Sequence, residues 1–527
     1  MEFDLVLKNG IILDGSGAPP IKADIGIKDD TIIKIGDLSN YRAEKVIDVK
    51  GLYVAPGFID IHNHSDISIF IVPTANNYVL QGVTTIVIGN CGSSPAPLTE
   101  LNKELIEEWK KYYPEVSVTW KSFREYMKAL KELEKSINVV PLVGFGTIRS
   151  AILGFENRSP TSRELEDMKN LAREALKTGA FGISTGLIYI PQVFASTEEI
   201  INVAKAVAEY GGIYASHIRN EGVHLVDAIL EAITIGIKSG CSVEISHLKA
   251  AGIPAWGLTE KALGIISYYI SQGIDVSADA YPYTATSTGL DAILPAWVRE
   301  GGRKKLVEKL KDPSIVDKIK LELEKKGLME ERYVEWHQIT IAYSINHKEV
   351  EGKTIDLISK EWGLDPFEVV IKLLIDDEAA TAAVYHVLNE EDVKRVLKHP
   401  FVAIGSDGSI RKFGEGKPHP RNYGTFPRFI ARYVRELKLI SLPEAIRKIT
   451  SLPARKLGLW DRGLIRPGMK ADIVVFNYYT IRDTATFEKP HSYPTGIEYV
   501  IVNGVPVVEE GKHTNAKPGK VLEKAAS

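Results

Sequence analysis

The chain has 527 residues, of which 44% are hydrophobic and 25% charged, and its formal net charge is −3. This is the balance of a soluble globular protein with an ample core, and without a long basic run it argues against nucleic acid or an anionic membrane as the main partner. Two cysteines, Cys91 and Cys241, cannot build a disulfide framework, so a reducing, cytoplasmic setting is the expectation.

The first residues, Met1 to Lys8, lack the basic start and apolar stretch of a signal peptide. No apolar segment reaches the roughly 18 residues that a membrane span needs. Few Cys and Met among many Ile, Lys and Glu residues is a composition seen in thermostable proteins.

Residues 1–57 read as short strands with turn glycines: Phe3–Lys8, Gly10–Leu13, Asp24–Lys28, Ile32–Ile35 and Lys45–Val49. Eight further strand candidates follow in order: Phe58–His62, Thr84–Ile88, Val139–Val143, Gly182–Ser184, Ile213–Ser216, Ser242–Ser246, Asp275–Asp279 and Val402–Gly405. Amphipathic helices alternate with them, and two open on capping pairs, Thr161 with Glu164 and Ser196 with Glu199. Eight strands alternating with helices predict an α/β fold, a (β/α)₈ barrel over 58–455. More than a hundred residues separate the last two strands, so an inserted subdomain is expected at about 288–345. Ala471–Phe476 and Ile497–Val507 return to short strands, with a turn at Asn503-Gly504. Residues 456–527 are therefore read as the second part of the β module that 1–57 begins.

In a barrel of this kind catalytic groups come from the C-terminal ends of the strands. The first strand ends in His62-Asn63-His64, and residues two apart on a strand point the same way. The fifth ends at His217, the sixth at His247 and the eighth at Asp407. Each alone is equally well a buried, hydrogen-bonded polar residue. Four histidines and an aspartate on one rim are instead a ligand set for Zn²⁺. Cys91, after the second strand and beside Gly92, sits on the same rim and as a thiolate is a strong Zn²⁺ ligand, whereas Cys241 opens a strand and reads as core.

Pro56-Gly57-Phe58-Ile59-Asp60-Ile61-His62-Asn63-His64 resembles the opening strand of the amidohydrolase superfamily. Gly89-Asn90-Cys91-Gly92, Ser184-Thr185-Gly186-Leu187-Ile188-Tyr189, Asp279-Ala280-Tyr281-Pro282-Tyr283-Thr284 and the run from His419 to Arg428 resemble its D-aminoacylase family, as does Gly463 to Asp472. The resemblance runs nearly end to end. It implies a barrel, a small β-sandwich built from both termini and a late insertion. It also implies a tight Zn²⁺ site of Cys91, His217 and His247, with a second, weaker site using His62 and His64 that Cys91 bridges. Many superfamily members bridge two metals with a carboxylated lysine on the third or fourth strand; here Val139–Gly146 and Phe181–Leu187 contain no lysine.

The chemistry expected is hydrolysis of an N-acyl-D-amino acid by a Zn²⁺-activated water. Asp407, a metal ligand or its neighbour, would move the protons as general base and acid. A substrate carboxylate needs cationic partners, and Lys249, two residues beyond His247, and Arg421, in the loop after the eighth strand, are placed to supply them. The resemblance gives substrate-binding roles to Lys249, Tyr281, Ser287 and Arg421, and none to Arg219. It departs at Phe145, where family members carry His, which predicts a pocket more favourable to apolar side chains. A cyclic-amide hydrolase, a dipeptidase and a metal-free scaffold protein are the competing readings. A homo-oligomer is compatible with the sequence, but nothing in it specifies one.

Overall fold

The computed structural model describes residues 2–329, 332 and 334–524. Alternating burial along Glu2–Ile12 makes it one long strand, β1, where two short ones are expected. The pairing register shifts between Leu7 and Gly10, and Asn9 there adopts a left-handed φ of 62°, so the break is a bulge and not a chain reversal. β2 (Ile21–Lys28), β3 (Thr31–Gly36) and β4 (Arg42–Asp48) follow, then β5 (Tyr53–Pro56), which runs through Gly57 into the first barrel strand and so has no turn to announce it.

The barrel strands are β6 (Phe58–Asp60), β7 (Val83–Ile88), β8 (Asn138–Pro141) with its continuation β9 (Val143–Gly144), β10 (Gly182–Gly186), β11 (Ile213–His217), β12 (Ser242–Ile245) and β13 (Val276–Ala280). After β13 come β14 (Thr286–Gly289), β15 (Ile339–Tyr343) and β16 (Ala382–Tyr385), and then the eighth barrel strand, β17 (Val402–Ile404). All eight expected barrel strands are present, and every pairing among them is parallel.

Their ladders form two arcs, β6-β7-β8 and β9-β10-β11-β12-β13-β17. Single backbone bonds join the arcs at both seams. At one, the Leu142 amide donates to Ile88 O (2.9 Å) and the Phe181 amide to Pro141 O (2.9 Å). At the other, the Asp407 amide donates to His62 O and the His64 amide to Gly408 O, each at 2.8 Å. The buried Asp60 carboxylate fastens this second seam, accepting from the Ser406 amide (2.7 Å), the Ser406 hydroxyl (2.6 Å) and the Asn63 side chain (2.8 Å).

Thr161 and Glu164 form the reciprocal capping box expected of helix Ser162–Lys177. Ser196 caps Thr197–Ala208 by its hydroxyl alone, because the Glu199 carboxylate instead holds Arg149 Nε at 2.9 Å.

The chain ends in β18 (Ile473–Phe476), β19 (Ile497–Val502), β20 (Val505–Glu509) and β21 (Lys512–His513). The sandwich expected from the two termini is realised as one nine-stranded sheet in the order β21-β20-β19-β18-β5-β1-β2-β3, with β4 on β1. Leu5, Ile25 and Val54 from the first part share a core with Ile473, Val475 and Ile501 from the last. Between β13 and β17, β14, β16 and β15 form a separate three-stranded antiparallel sheet over its own core, which includes Leu290, Ile341, Phe367 and Tyr385. No helix among the described residues is long and apolar enough to cross a membrane.

Candidate active site

The C-terminal strand ends bring six side chains to one point. Cys91 Sγ lies 3.4 Å from His62 Nε2, 3.7 Å from His217 Nδ1 and 3.5 Å from His247 Nε2. Asp407 Oδ1 lies 3.1 Å from His64 Nε2 and 3.5 Å from His62 Nε2. The donor atoms of His62, His64, Cys91 and Asp407 all fall within 4.8 Å of one another, as do those of Cys91, His217 and His247, so Cys91 is common to both groups. One thiol, imidazoles and a carboxylate at these separations fit one or two Zn²⁺ ions.

Three of these residues hold strained backbone. Cys91, His247 and Asp407 have φ of 52°, 37° and 51°, where a side chain costs about 1–2 kcal/mol over ordinary backbone. The strain turns each side chain inward just past its strand. Gly92, beside Cys91, has φ 74°, and a Cβ there would sit 1.9 Å from Gln192 Oε1. That same Gln192 amide accepts from Gly186 N (2.7 Å) and donates to Cys91 O (3.1 Å). The left-handed φ and the packing of Gln192 thus account for a glycine here.

Behind the cluster stand carboxylates that the sequence reading passes over. Asp279 Oδ1 accepts from the His247 amide (2.9 Å) and faces His62 Nδ1 at 3.5 Å. Glu221 is buried in the loop after β11, with Oε1 3.0 Å from His247 Nδ1 and Oε2 3.8 Å from His217 Nε2. Lys249 does not reach into open space; its Nζ meets Glu221 Oε1 at 2.5 Å and His247 Nδ1 at 2.7 Å. The one signal for Glu221 in the sequence is its spacing four residues after His217.

Arg421 begins the helix Arg421–Arg428, its amide donating to His419 Nδ1 (3.0 Å) while His419 Nε2 meets Ala285 O (3.0 Å). The neutral imidazole so defined ties the loop before β14 to the arginine. Arg421 then donates to Asp407 Oδ2 (2.8 Å) and to Ser287 O (3.3 Å). The Ser287 hydroxyl is turned to Ala383 O (2.9 Å). The Tyr281 ring lies 4.9 Å from the Arg421 guanidinium and 5.5 Å from Lys249 Nζ, and its buried hydroxyl has no hydrogen-bond partner among the described residues.

Charge follows from these contacts. Burial alone would raise the Cys91 thiol, but His62 and His64 charge beside it, with hydrogen bonds from His217 and His247, holds it well below its usual value. Burial likewise opposes ionisation of Asp407, and the adjacent Arg421 and His247 outweigh it, keeping the carboxylate anionic.

A cavity of about 380 Å³ opens onto the cluster. His64, Cys91, Tyr189, Ser287, Asp407 and Arg421 line it, whereas Lys249 and Tyr281 lie behind His247. Phe145 opens the helix Phe145–Leu153 with its ring fully buried in the main core, and the cavity wall there is Gly146, Thr147 and Ser150. The expectation that Phe145 alters the pocket is therefore corrected. Cys241 is buried away from the cluster with Sγ against Ala204 O (3.3 Å), and burial pushes its thiol up to about 11. Arg219 pairs with Glu231 (2.9 Å) and with the Val193 and Ala195 carbonyls.

The model of the Amidohydrolase family matches residues 45–251 and 315–508. The chain belongs to the amidohydrolase family. It is 37% identical to the D-aminoacylase of Alcaligenes xylosoxydans xylosoxydans, over 100% of this chain and 98% of that protein. The N-acyl-D-glutamate deacylase of Bordetella bronchiseptica, solved with zinc and a phosphonate mimic of the tetrahedral intermediate, superposes with a TM-score of 0.84 at 33% identity, over 99% and 100% of the two chains. A D-aminoacylase with a binuclear metal centre superposes equally well (TM-score 0.84, 36% identity, 99% and 100% covered). In this amidohydrolase the polar cluster sits at the C-terminal ends of the strands. Cys91 is the one residue common to the two donor groups among the described residues.

Proposed function

We propose that this chain hydrolyses the amide bond of N-acyl-D-amino acids, releasing a carboxylate and a free D-amino acid at a zinc centre. The observation that carries the reading is Cys91 shared by two donor groups beside a cavity that ends on Asp407 and Arg421. Cys91, His217 and His247 would hold a tight Zn²⁺, and His62, His64 and Asp407, with Cys91, a weaker one. Bound there, Zn²⁺ supplies Lewis acidity toward the carbonyl and lowers the pKa of water to about 7.

The chain's own residues do the rest. Asp407 accepts the proton of the attacking water at Oδ1, the oxygen facing the histidines, and returns it to the departing nitrogen. Such proton transfer contributes typically ~10²–10⁴-fold. Arg421, which lines the cavity, receives the α-carboxylate, since a guanidinium grips a carboxylate with two parallel bonds, and the Tyr281 ring, 4.9 Å from that guanidinium, supports it from behind. Ser287 contributes its carbonyl, which orients Arg421, and Lys249 adds positive charge from behind Tyr281. With the carboxylate and the scissile carbonyl both held, inverting the α-carbon exchanges the side chain with hydrogen, which is the basis for D-specificity. Residues 58–455 would carry the chemistry, with 1–57 and 456–527 as its support, and two unpaired cysteines fit a cytoplasmic setting.

A panel of N-acyl-D- and N-acyl-L-amino acids, dipeptides and hydantoins, assayed with added Zn²⁺, tests this. The D-series should lead in kcat/KM. Equal or faster turnover of the L-series refutes the stereochemical assignment, and preferential turnover of hydantoins replaces the linear-amide reading with a cyclic one.

A further inference from the structure

Both histidines that face Cys91 in the more buried donor group turn their other ring nitrogen to the same carboxylate. His217 presents Nδ1 to Cys91 and Nε2 to Glu221, and His247 presents Nε2 to Cys91 and Nδ1 to Glu221. The rings stand edge to face, 85° apart with centroids at 4.4 Å, and the one carboxylate faces both through opposite ring nitrogens. A neutral imidazole donates from one nitrogen and offers a lone pair at the other. At His217, Nε2 has no hydrogen-bond partner among the described residues, and Glu221, with Oε2 at 3.8 Å, is the one carboxylate within 4 Å that draws its proton. At His247 there is a conflict. Nδ1 can donate to Glu221 Oε1 at 3.0 Å or accept from Lys249 Nζ at 2.7 Å, but not both. Accepting from Lys249 would leave the proton on Nε2, the nitrogen that faces Cys91, and that lone pair would be lost to a metal.

We infer that Glu221 is a positioning residue that sets the tautomers of His217 and His247, leaving one lone pair on each directed at the Cys91 site, and that it does so by drawing the Lys249 ammonium onto itself. Lys249 then donates to Glu221 and not to His247 Nδ1. Arg332, whose guanidinium lies 3.6 Å from Glu221 Oε2, helps balance the buried carboxylate. The inference rests on the zinc centre proposed above, though not on its substrate. Carboxylates placed behind ligand histidines in this way change metal affinity by about 10–100-fold when removed.

The test is Zn²⁺ affinity of the full-length protein, measured by competition with a chelator of known affinity, for the parent, Glu221→Gln and Glu221→Asp. Glu221→Gln should bind the first Zn²⁺ 10–100-fold more weakly and should regain activity when Zn²⁺ is raised in proportion. Glu221→Asp keeps the charge but retracts it, and should fall between the two; it carries the test if the amide variant does not fold. The metal-free proteins should melt at the same temperature as the parent. Unchanged Zn²⁺ affinity in the variants overturns the inference, and so does weaker binding accompanied by an equally destabilised metal-free fold, because that outcome is packing alone. A parent that binds zinc through Cys91 yet ignores every N-acyl-D-amino acid would sink the substrate reading and leave this one standing.

Discussion

The two halves of the cluster meet at Cys91 and are built differently. His217 and His247 come from β11 and β12, neighbours joined by four consecutive register pairs, and both are buried and backed by one carboxylate. His62, His64 and Asp407 straddle the seam where β17 meets β6, held by two backbone bonds and the Asp60 clamp. The His64 side chain is 32% exposed, and Asp407 is drawn off toward Arg421. A site on a continuous ladder with its ligands pre-oriented holds an ion with little reorganisation. A site on a seam, open to the cavity, is the one that can exchange its ion and move a proton.

Removing the shared ligand should have the largest effect, because it strikes both halves. Cys91→Ala is expected to lose tightly bound Zn²⁺ and to drop kcat/KM by ~10³-fold or more, the scale of losing several kcal/mol of Lewis-acid stabilisation. Elemental analysis alongside kinetics checks it, and full metal content in the variant would break the comparison at its root. Asp407→Asn should come next. It keeps shape and hydrogen-bonding capacity but cannot accept a proton, so kcat should fall at least ~10²-fold with little change in KM. Near-normal kcat with metal bound would move the base elsewhere.

Arg421→Lys should act mainly on binding. The ammonium keeps the charge but loses the paired geometry and the stacking on Tyr281, so KM should rise on the order of 10-fold with kcat changed less. Should kcat collapse and KM stay put, Arg421 would belong to the reacting carbonyl or to holding Asp407.

What could be read from the sequence was whatever repeats or stands at a strand end. The barrel strands are short, almost wholly buried segments that alternate with helices, and His62, His217, His247 and Asp407 stand at or just past their ends, at the one rim where a barrel does chemistry. What could not be read lies in contacts between distant segments. β16 joins β14 across nearly a hundred residues, so Ser287 falls on a strand with its hydroxyl turned to Ala383 and not to the cavity. Glu221 belongs to no periodic element, and its importance appears only when His217, His247 and Lys249 fold around it. Lys249 shows the limit of spacing as a guide: two residues past a ligand predicts the rim, and the carboxylate waiting there decides where the ammonium goes.

The smallest effect should come from His64→Ala, and it separates the two halves most cleanly. His64 meets the cluster at Asp407 Oδ1, 3.1 Å away, and at the His62 ring, 5.2 Å between centroids, and is the most exposed donor in either group. Its loss removes one of the charges beside Cys91 but leaves the ligands Cys91, His217 and His247 and the carboxylate of Glu221 in place, so the first Zn²⁺ should stay bound near the parent affinity. The second should weaken by at least about 10–100-fold, because removing a proposed ligand costs no less than removing a residue that orients one. Activity at low Zn²⁺ should then remain within a few-fold of the parent, since the general base and the carboxylate grip are intact. Titrating Zn²⁺ into parent and variant while following both occupancy and rate distinguishes the outcomes. If His64→Ala lost the first ion as readily as Cys91→Ala does, the halves would be one binuclear unit, and the contrast between a ladder site and a seam site would have no energetic meaning.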